Sequence, residues 1–214
     1  MVIDLTQVIS PNMPVYPGTE KPKFIPANSY EKDGFKETII SMFTHTGTHI
    51  DPPAHIIKGK LTLDKFPASQ FVGKAIVIDC RDLPEGGVIT IDRLYKHGEL
   101  LNKAEFLLFN LGWDKFWGTD KYFGDYACID NDVLEFIINS NLKGIGFDVI
   151  GLDPIKDVEL TRHNKLFKAK DIINIENLKN LDLLYGGLVD FACLPLNLED
   201  CDGAPARAIA VIKD

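Results

Sequence analysis

An α/β fold in one domain, with a mixed and partly closed sheet, is what this chain predicts, on three observations. Strand-like segments outnumber helix-like ones. The two kinds alternate along the chain. Several strand segments are near-continuous apolar runs, the pattern of strands buried on both faces. A length of 214 residues is enough for one domain, 1–214, with a proper core.

The elements follow in order. Residues 1–30 include the proline-rich stretch SPNMPVYPGTEKPKFIP, which imposes irregular backbone. Met13, Val15 and Tyr16 make that stretch too apolar for a free tail, so it packs onto the domain. FKETIISMFT, residues 35–44, reads as a strand running into a histidine-rich segment. Further strands are predicted at Lys74–Cys80, Ala104–Asn110, Gly144–Ile150, Gly186–Leu194 and Ala206–Ile212. Helices are predicted at Ile91–Leu101, with Thr90 as N-cap, and at Asp132–Ser140, with Asn131 as cap. The second carries Val133, Leu134, Phe136 and Ile137 on one face. A short third helix is predicted around His163–Ala169.

Composition excludes several classes of function. The net charge is −8 and lysines and arginines are not clustered, so a nucleic-acid footprint is not expected. The start, MVIDLTQVIS, has neither the basic nor the apolar part of a signal peptide. No apolar run approaches the ~18 residues of a membrane span. Cys80, Cys128, Cys193 and Cys201 form no C-x-x-C pair, and are expected to be reduced and mostly buried. A cytoplasmic location follows as the expectation.

The chemistry concentrates in HTGTHIDPPAH, residues 45–55, which holds three of the five histidines. Thr44, Thr46 and Thr48 favour extended backbone, and alternation along a strand would point His45, Gly47, His49 and Asp51 to one side. Two imidazoles and a carboxylate make a cup for a cation. A straight strand would hold the α-carbons of His45 and His49 roughly 13 Å apart, too far to share one ion, so a bend at Gly47 is predicted. Pro52 and Pro53 suit the first turn of a helix capped by Asp51, which would return His55 over the cup. A single histidine is usually a packed core or surface residue; this density of donors favours a metal site. Such a set suits hydrolysis, the Fe(II) site of an oxygenase, or a closed structural site in a binding protein.

The pattern H-x-G-T-H-x-D-x-P-x-H resembles the signature of the cyclase-like metal-dependent hydrolases, which include bacterial kynurenine formamidase (arylformamidase) and isatin hydrolase. Here it stands as His45, Gly47, Thr48, His49, Asp51, Pro53 and His55. DLTQVISPNMPVYPG, LGWDKFWGTDKYF, RHNKLFKAKDIINIENLKNL and CDGAPARAI are similar to other family segments, so the likeness runs over nearly the whole chain. The resemblance implies a central barrel-like sheet flanked by helices, of the swivelling β/β/α type, in a homodimer or homotetramer. It implies a small-molecule substrate, with the segment 1–30 near the active site and Tyr16 against the substrate. It also implies one or two divalent ions, Zn²⁺ or Mn²⁺, with His45, His49 and Asp51 on the first. Asp51, His163 and Glu176 would hold the second, and His55 would be the general acid/base, its near-neutral pKa suiting both tasks. Tyr16, Thr19 and Gly151 stand where relatives often have tryptophan, aspartate and serine. Asp148 and Asp153 are expected in supporting or turn positions, Asp202 and Arg207 as an ion pair closing the C-terminal turn, and Trp113 and Trp117 in the core.

Overall fold

The apolar runs lie side by side in one sheet that closes on itself. A computed structural model of the chain describes residues 1–212. The strands are β1 (Val2–Asp4), β2 (Lys23–Asn28), β3 (Glu37–Ser41), β4 (His49–Asp51), β5 (Val72–Asp79), β6 (Val88–Ile89), β7 (Phe106–Asn110), β8 (Cys128–Ile129), β9 (Gly144–Phe147), β10 (Ile173–Glu176), β11 (Val189–Pro195) and β12 (Ala204–Val211). The helices are α1 (Tyr30–Asp33), α2 (Ile91–Tyr95), α3 (Glu99–Lys103), α4 (Asn131–Asn139) and α5 (Thr161–Ala169). The main sheet runs β1-β12-β11-β5-β7-β9-β10-β4, and β4 also pairs with β12, which closes the ring from β12 round to β4. Pairings from β5 through β7 and β9 to β10 are parallel, and the others in this sheet are antiparallel. The predicted mixed, barrel-like α/β architecture is the one found.

Alternation along the strands sorts side chains into two cores. Ala75 and Val77, Phe106 and Leu108, Ile173 and Ile175, and Ile50 meet in one buried cluster, the barrel interior. The intervening Ile76 and Ile78, Leu107 and Phe109, and Ile145 and Phe147 join Leu94, Leu134 and Phe167 in a second, under the helices. Because Ile50 and Ile175 point inward, their neighbours His49, Asp51, Asn174 and Glu176 point outward. The pleat of β4 and β10 therefore sets four polar side chains together on the barrel's outer wall.

Several local expectations are revised. The helix predicted over 91–101 is two short helices, broken where Gly98 takes φ +54. Thr90 makes no side-chain cap, and α4 is capped by Asp130, whose side chain accepts from the Val133 N–H at 2.8 Å. β3 does not run into the histidine segment; it pairs with β2 as a separate ribbon. Residues 1–30 are not irregular throughout, since they contain β1 and β2. Phe24, Ile25, Ile39 and Ile40 on the ribbon are all exposed.

Candidate metal centre

His45 lies before the strand, and β4 begins only at His49. The bend falls at Gly47, where φ is +66, a conformation that disfavours any side chain. Thr48 locks the bend: its hydroxyl donates to the Asn177 carbonyl at 2.6 Å and accepts the Gln7 N–H at 2.8 Å. The single-face strand is thus replaced by a strand end plus a folded loop, with the same convergence of donors. After Asp51, Pro52 is extended and Pro53–His55 forms one short 3-10 turn without a side-chain cap. Asp51 is not a helix cap; its carboxylate faces the histidines. The turn stacks the His55 ring 3.9 Å from that of His45.

Asp51 is the hub. Its Oδ1 lies 2.7 Å from His45 Nδ1 and 3.2 Å from His49 Nε2, and its Oδ2 lies 3.6 Å from His163 Nε2. Glu176 Oε1 is 3.4 Å from His163 Nε2, and Oε2 is 3.6 Å from His49 Nε2. Beside a more exposed set, His45/His55/Asp202, two donor sets share Asp51: His45/His49/Asp51 and Asp51/His163/Glu176, each with its atoms within 4.8 Å of one another. Both sets suit a divalent ion of borderline hardness, and Asp51 belongs to both. Asn174 Nδ2 donates to Asp51 Oδ2 at 2.9 Å and Glu176 Oε1 at 2.8 Å, holding the two carboxylates side by side.

Each histidine of the two sets has its other ring nitrogen anchored. His49 Nδ1–H donates to the Gly47 carbonyl at 2.9 Å, which turns Nε2 toward Asp51. His163 Nδ1 lies 2.7 Å from Asp153 Oδ2. Asp153 also accepts the Arg162 and His163 backbone N–H groups, so one carboxylate fixes both the start of α5 and the ring it carries. His45 Nε2 lies 3.1 Å from Asp202 Oδ2. His55 is different: its buried Nδ1 has no hydrogen-bond partner among the described residues.

The electrostatics match a cation. Burial raises the Glu176 carboxyl, and the charge of Asp51 raises it further. Burial would also raise Asp51, but His49, His163 and His45 hold it well below the usual range. Burial disfavours charge on His45, yet hydrogen bonds to Asp202 and Asp51 prevail and raise it to about 10. Burial is likewise outweighed at His163, which Asp153, Asp51 and Glu176 raise well above the ordinary value. Protons on these rings balance the buried carboxylates, and a divalent ion would replace them. At His55 burial dominates and lowers the pKa to about 4, not the near-neutral value expected from residue type.

A cavity of about 460 Å³ opens onto these donors. Its apolar wall includes Val15, Tyr16, Phe43, Ile150, Val158 and Leu160, so the N-terminal segment does line it. Trp113 is buried, and with Trp117 packs in the core under the helices. Asp148 is not among the residues lining the cavity and accepts the Leu111 and Trp113 N–H groups at 2.9 and 2.8 Å. The expected Asp202–Arg207 pair does not form: Arg207 binds Asp4 through two contacts of 3.0 and 2.8 Å. Asn174, unremarked in the sequence, carried a signal there, since it precedes Glu176 by two and so shares its face of a strand.

Residues 3–154 match the family described as putative cyclase. The chain belongs to the cyclase family. A kynurenine formamidase of Bacillus cereus is 32% identical over 209 residues, 97% of this chain and 95% of that one. Isatin hydrolase A from Labrenzia aggregata, solved bound to benzyl benzoate, superposes with a TM-score of 0.87 at 25% identity, over 100% of this chain and 94% of that one. A potential metal-dependent hydrolase with cyclase activity superposes at 0.73 with 28% identity, over 98% and 96% of the two chains.

Proposed function

We propose that this member of the cyclase family is a metal-dependent hydrolase of carbon–nitrogen bonds other than peptide bonds. It opens an amide, lactam or related ester bond of a small aromatic substrate. The observation that carries the reading is the division among the histidines: His45, His49 and His163 are anchored on the outer nitrogen and face Asp51 with the inner one, whereas His55 is unanchored. Anchoring of the outer nitrogen is what metal-binding histidines need. In this reading His45, His49 and Asp51 hold one ion, and Asp51, His163 and Glu176 hold a second, Zn²⁺ or Mn²⁺. A bound divalent ion supplies acidified water and polarises the carbonyl under attack.

The chain's own groups do the rest. His55, neutral across the physiological range because burial lowers its pKa to about 4, is free to accept a proton from the attacking water. It then returns that proton to the leaving nitrogen or oxygen. Tyr16 and the apolar wall receive the ring of the substrate and exclude water around the reacting bond. Among the described residues no lysine or arginine lines the cavity, which suits an uncharged substrate better than a carboxylate. The cavity also argues against a closed structural site, which is filled by protein ligands. The exposed apolar ribbon of β2 and β3 supports a homodimer or homotetramer. No described helix is long and apolar enough to cross a membrane.

The test is a screen of the Zn²⁺- and Mn²⁺-loaded protein against isatin, N-formyl arylamines, and small lactones and esters, with and without oxygen. Turnover of a neutral aromatic amide or lactam, unchanged without oxygen, is expected. Turnover that stops without oxygen would instead make the centre an oxygenase site.

A further inference from the structure

We propose that Asp202 is a positioning residue that fixes the His45 ring so that Nδ1, not Nε2, faces the centre. The inference rests on the reading of His45 as a metal ligand. Asp202 divides its two oxygens: Oδ1 accepts the Thr44 hydroxyl at 3.0 Å, and Oδ2 accepts from His45 Nε2 at 3.1 Å. A carboxylate only accepts, so each ring nitrogen donates in the metal-free protein: Nε2 to Asp202, and Nδ1 to Asp51 Oδ1 at 2.7 Å. An ion displacing the Nδ1 proton would leave Nε2–H held by Asp202 and turn the Nδ1 lone pair to the centre.

Three further observations make this contact part of the architecture. The obvious partner of Asp202, Arg207, is engaged by Asp4 at the other end of the chain. The loop carrying Asp202 leads into β12, whose Ala204 and Pro205 pair with Ile50 and His49. Closure of the barrel therefore delivers this carboxylate to the histidine loop. The next residue, Gly203, packs under the ring: a Cβ there would stand 2.5 Å from His45 Cε1 and 2.7 Å from Nε2. Any side chain at 203 would push the ring off Asp202. The other nearby imidazole, His55, has its Nδ1 3.7 Å from Asp202 Oδ2, beyond hydrogen-bond range, so Asp202 serves His45.

Asp202 is half exposed on a loop, and its side chain holds no part of the core together. Its loss should therefore act on the metal and leave the fold. The experiment titrates metal-free protein with Co²⁺ alone and records affinity and the visible spectrum for wild type, Asp202→Ala, Asp202→Asn and His49→Ala. Asp202→Ala should bind Co²⁺ about 10–100-fold more weakly, the usual cost of removing an anchoring partner, with an altered ligand-field spectrum. Asp202→Asn keeps an acceptor without the charge and should fall between alanine and wild type. The melting temperature of the metal-free protein should move little. If both Asp202 variants match wild type in affinity and spectrum while His49→Ala loses the ion, Asp202 has no positioning role and the metal reading stands. If His49→Ala binds Co²⁺ as wild type does, the metal reading fails and this inference with it. Should Asp202→Ala not fold, Asp202→Asn decides alone: weaker binding supports the inference, and wild-type binding overturns it.

Discussion

His45, His49 and Asp51 come from one unbroken stretch, whereas His163 and Glu176 come from α5 and β10; all five line the same cavity, and all but His45 are buried. The two halves solve the same problem differently. The contiguous half needs a left-handed bend at Gly47 and an anchor, Asp202, borrowed from a distant loop. The dispersed half is held by regular structure: the first turn of α5 with its Asp153 clamp, and the outward face of β10 with Asn174. A contiguous stretch is easy to read but needs outside support to hold its shape. A pair dispersed over two regular elements is preorganised but invisible until the chain is folded.

Substitutions sharpen that contrast. The largest effect is expected at His49, which faces Asp51 and Glu176 and so touches both halves. His49→Ala should lose metal and activity together, with turnover falling by more than the ~10²–10⁴ that a positioned acid/base is worth. Metal content per chain after gel filtration checks it, and full occupancy would remove His49 from the ligands. Next comes His163→Ala, which should abolish the second equivalent of metal in a titration while keeping the first. Loss of both ions would mean that the halves are not separable. In the wild type the second ion should bind more weakly, because it depends on the shared Asp51; two equally tight ions would count against this.

A smaller effect is expected from Asp153→Ala, which frees the His163 ring and should weaken the second ion by about 10–100-fold. Calorimetric titration measures it, and an unchanged second affinity would break the parallel drawn between Asp153 and Asp202. The smallest concerns pH in the metal-free protein. His45 is raised from 6.5 to about 10, so its contribution to stability is complete below 6.5 and is lost as pH rises through about 10. The melting temperature of metal-free protein should fall over that window. Metal-loaded protein, with the ion in place of the proton, should show a flatter profile.

Much of this was legible beforehand, for identifiable reasons. The strands β5, β7, β9, β11 and β12 are long apolar runs, and the density of donors in HTGTHIDPPAH pointed to a metal. β10 escaped although IINIE alternates apolar and polar residues, the mark of a strand with one wet face. Closure of the barrel was beyond the residues alone, because β4 has only three residues and pairs with β12 at two positions. His163 and Glu176 were reachable only by resemblance, since neither has a second histidine or a cysteine near it in the sequence. Asp202 was misassigned because local reading pairs it with Arg207, while the partner of that arginine, Asp4, lies at the far end of the sequence.

The central claim is that the centre divides its histidines between holding metal and moving protons. His55→Ala tests it most directly, with metal content and kcat measured on the same preparation. The account predicts a full complement of metal and a kcat lower by on the order of 10²–10⁴ on the identified substrate. A variant that loses its metal would make His55 a ligand, and one that keeps both metal and full activity would remove it from the mechanism.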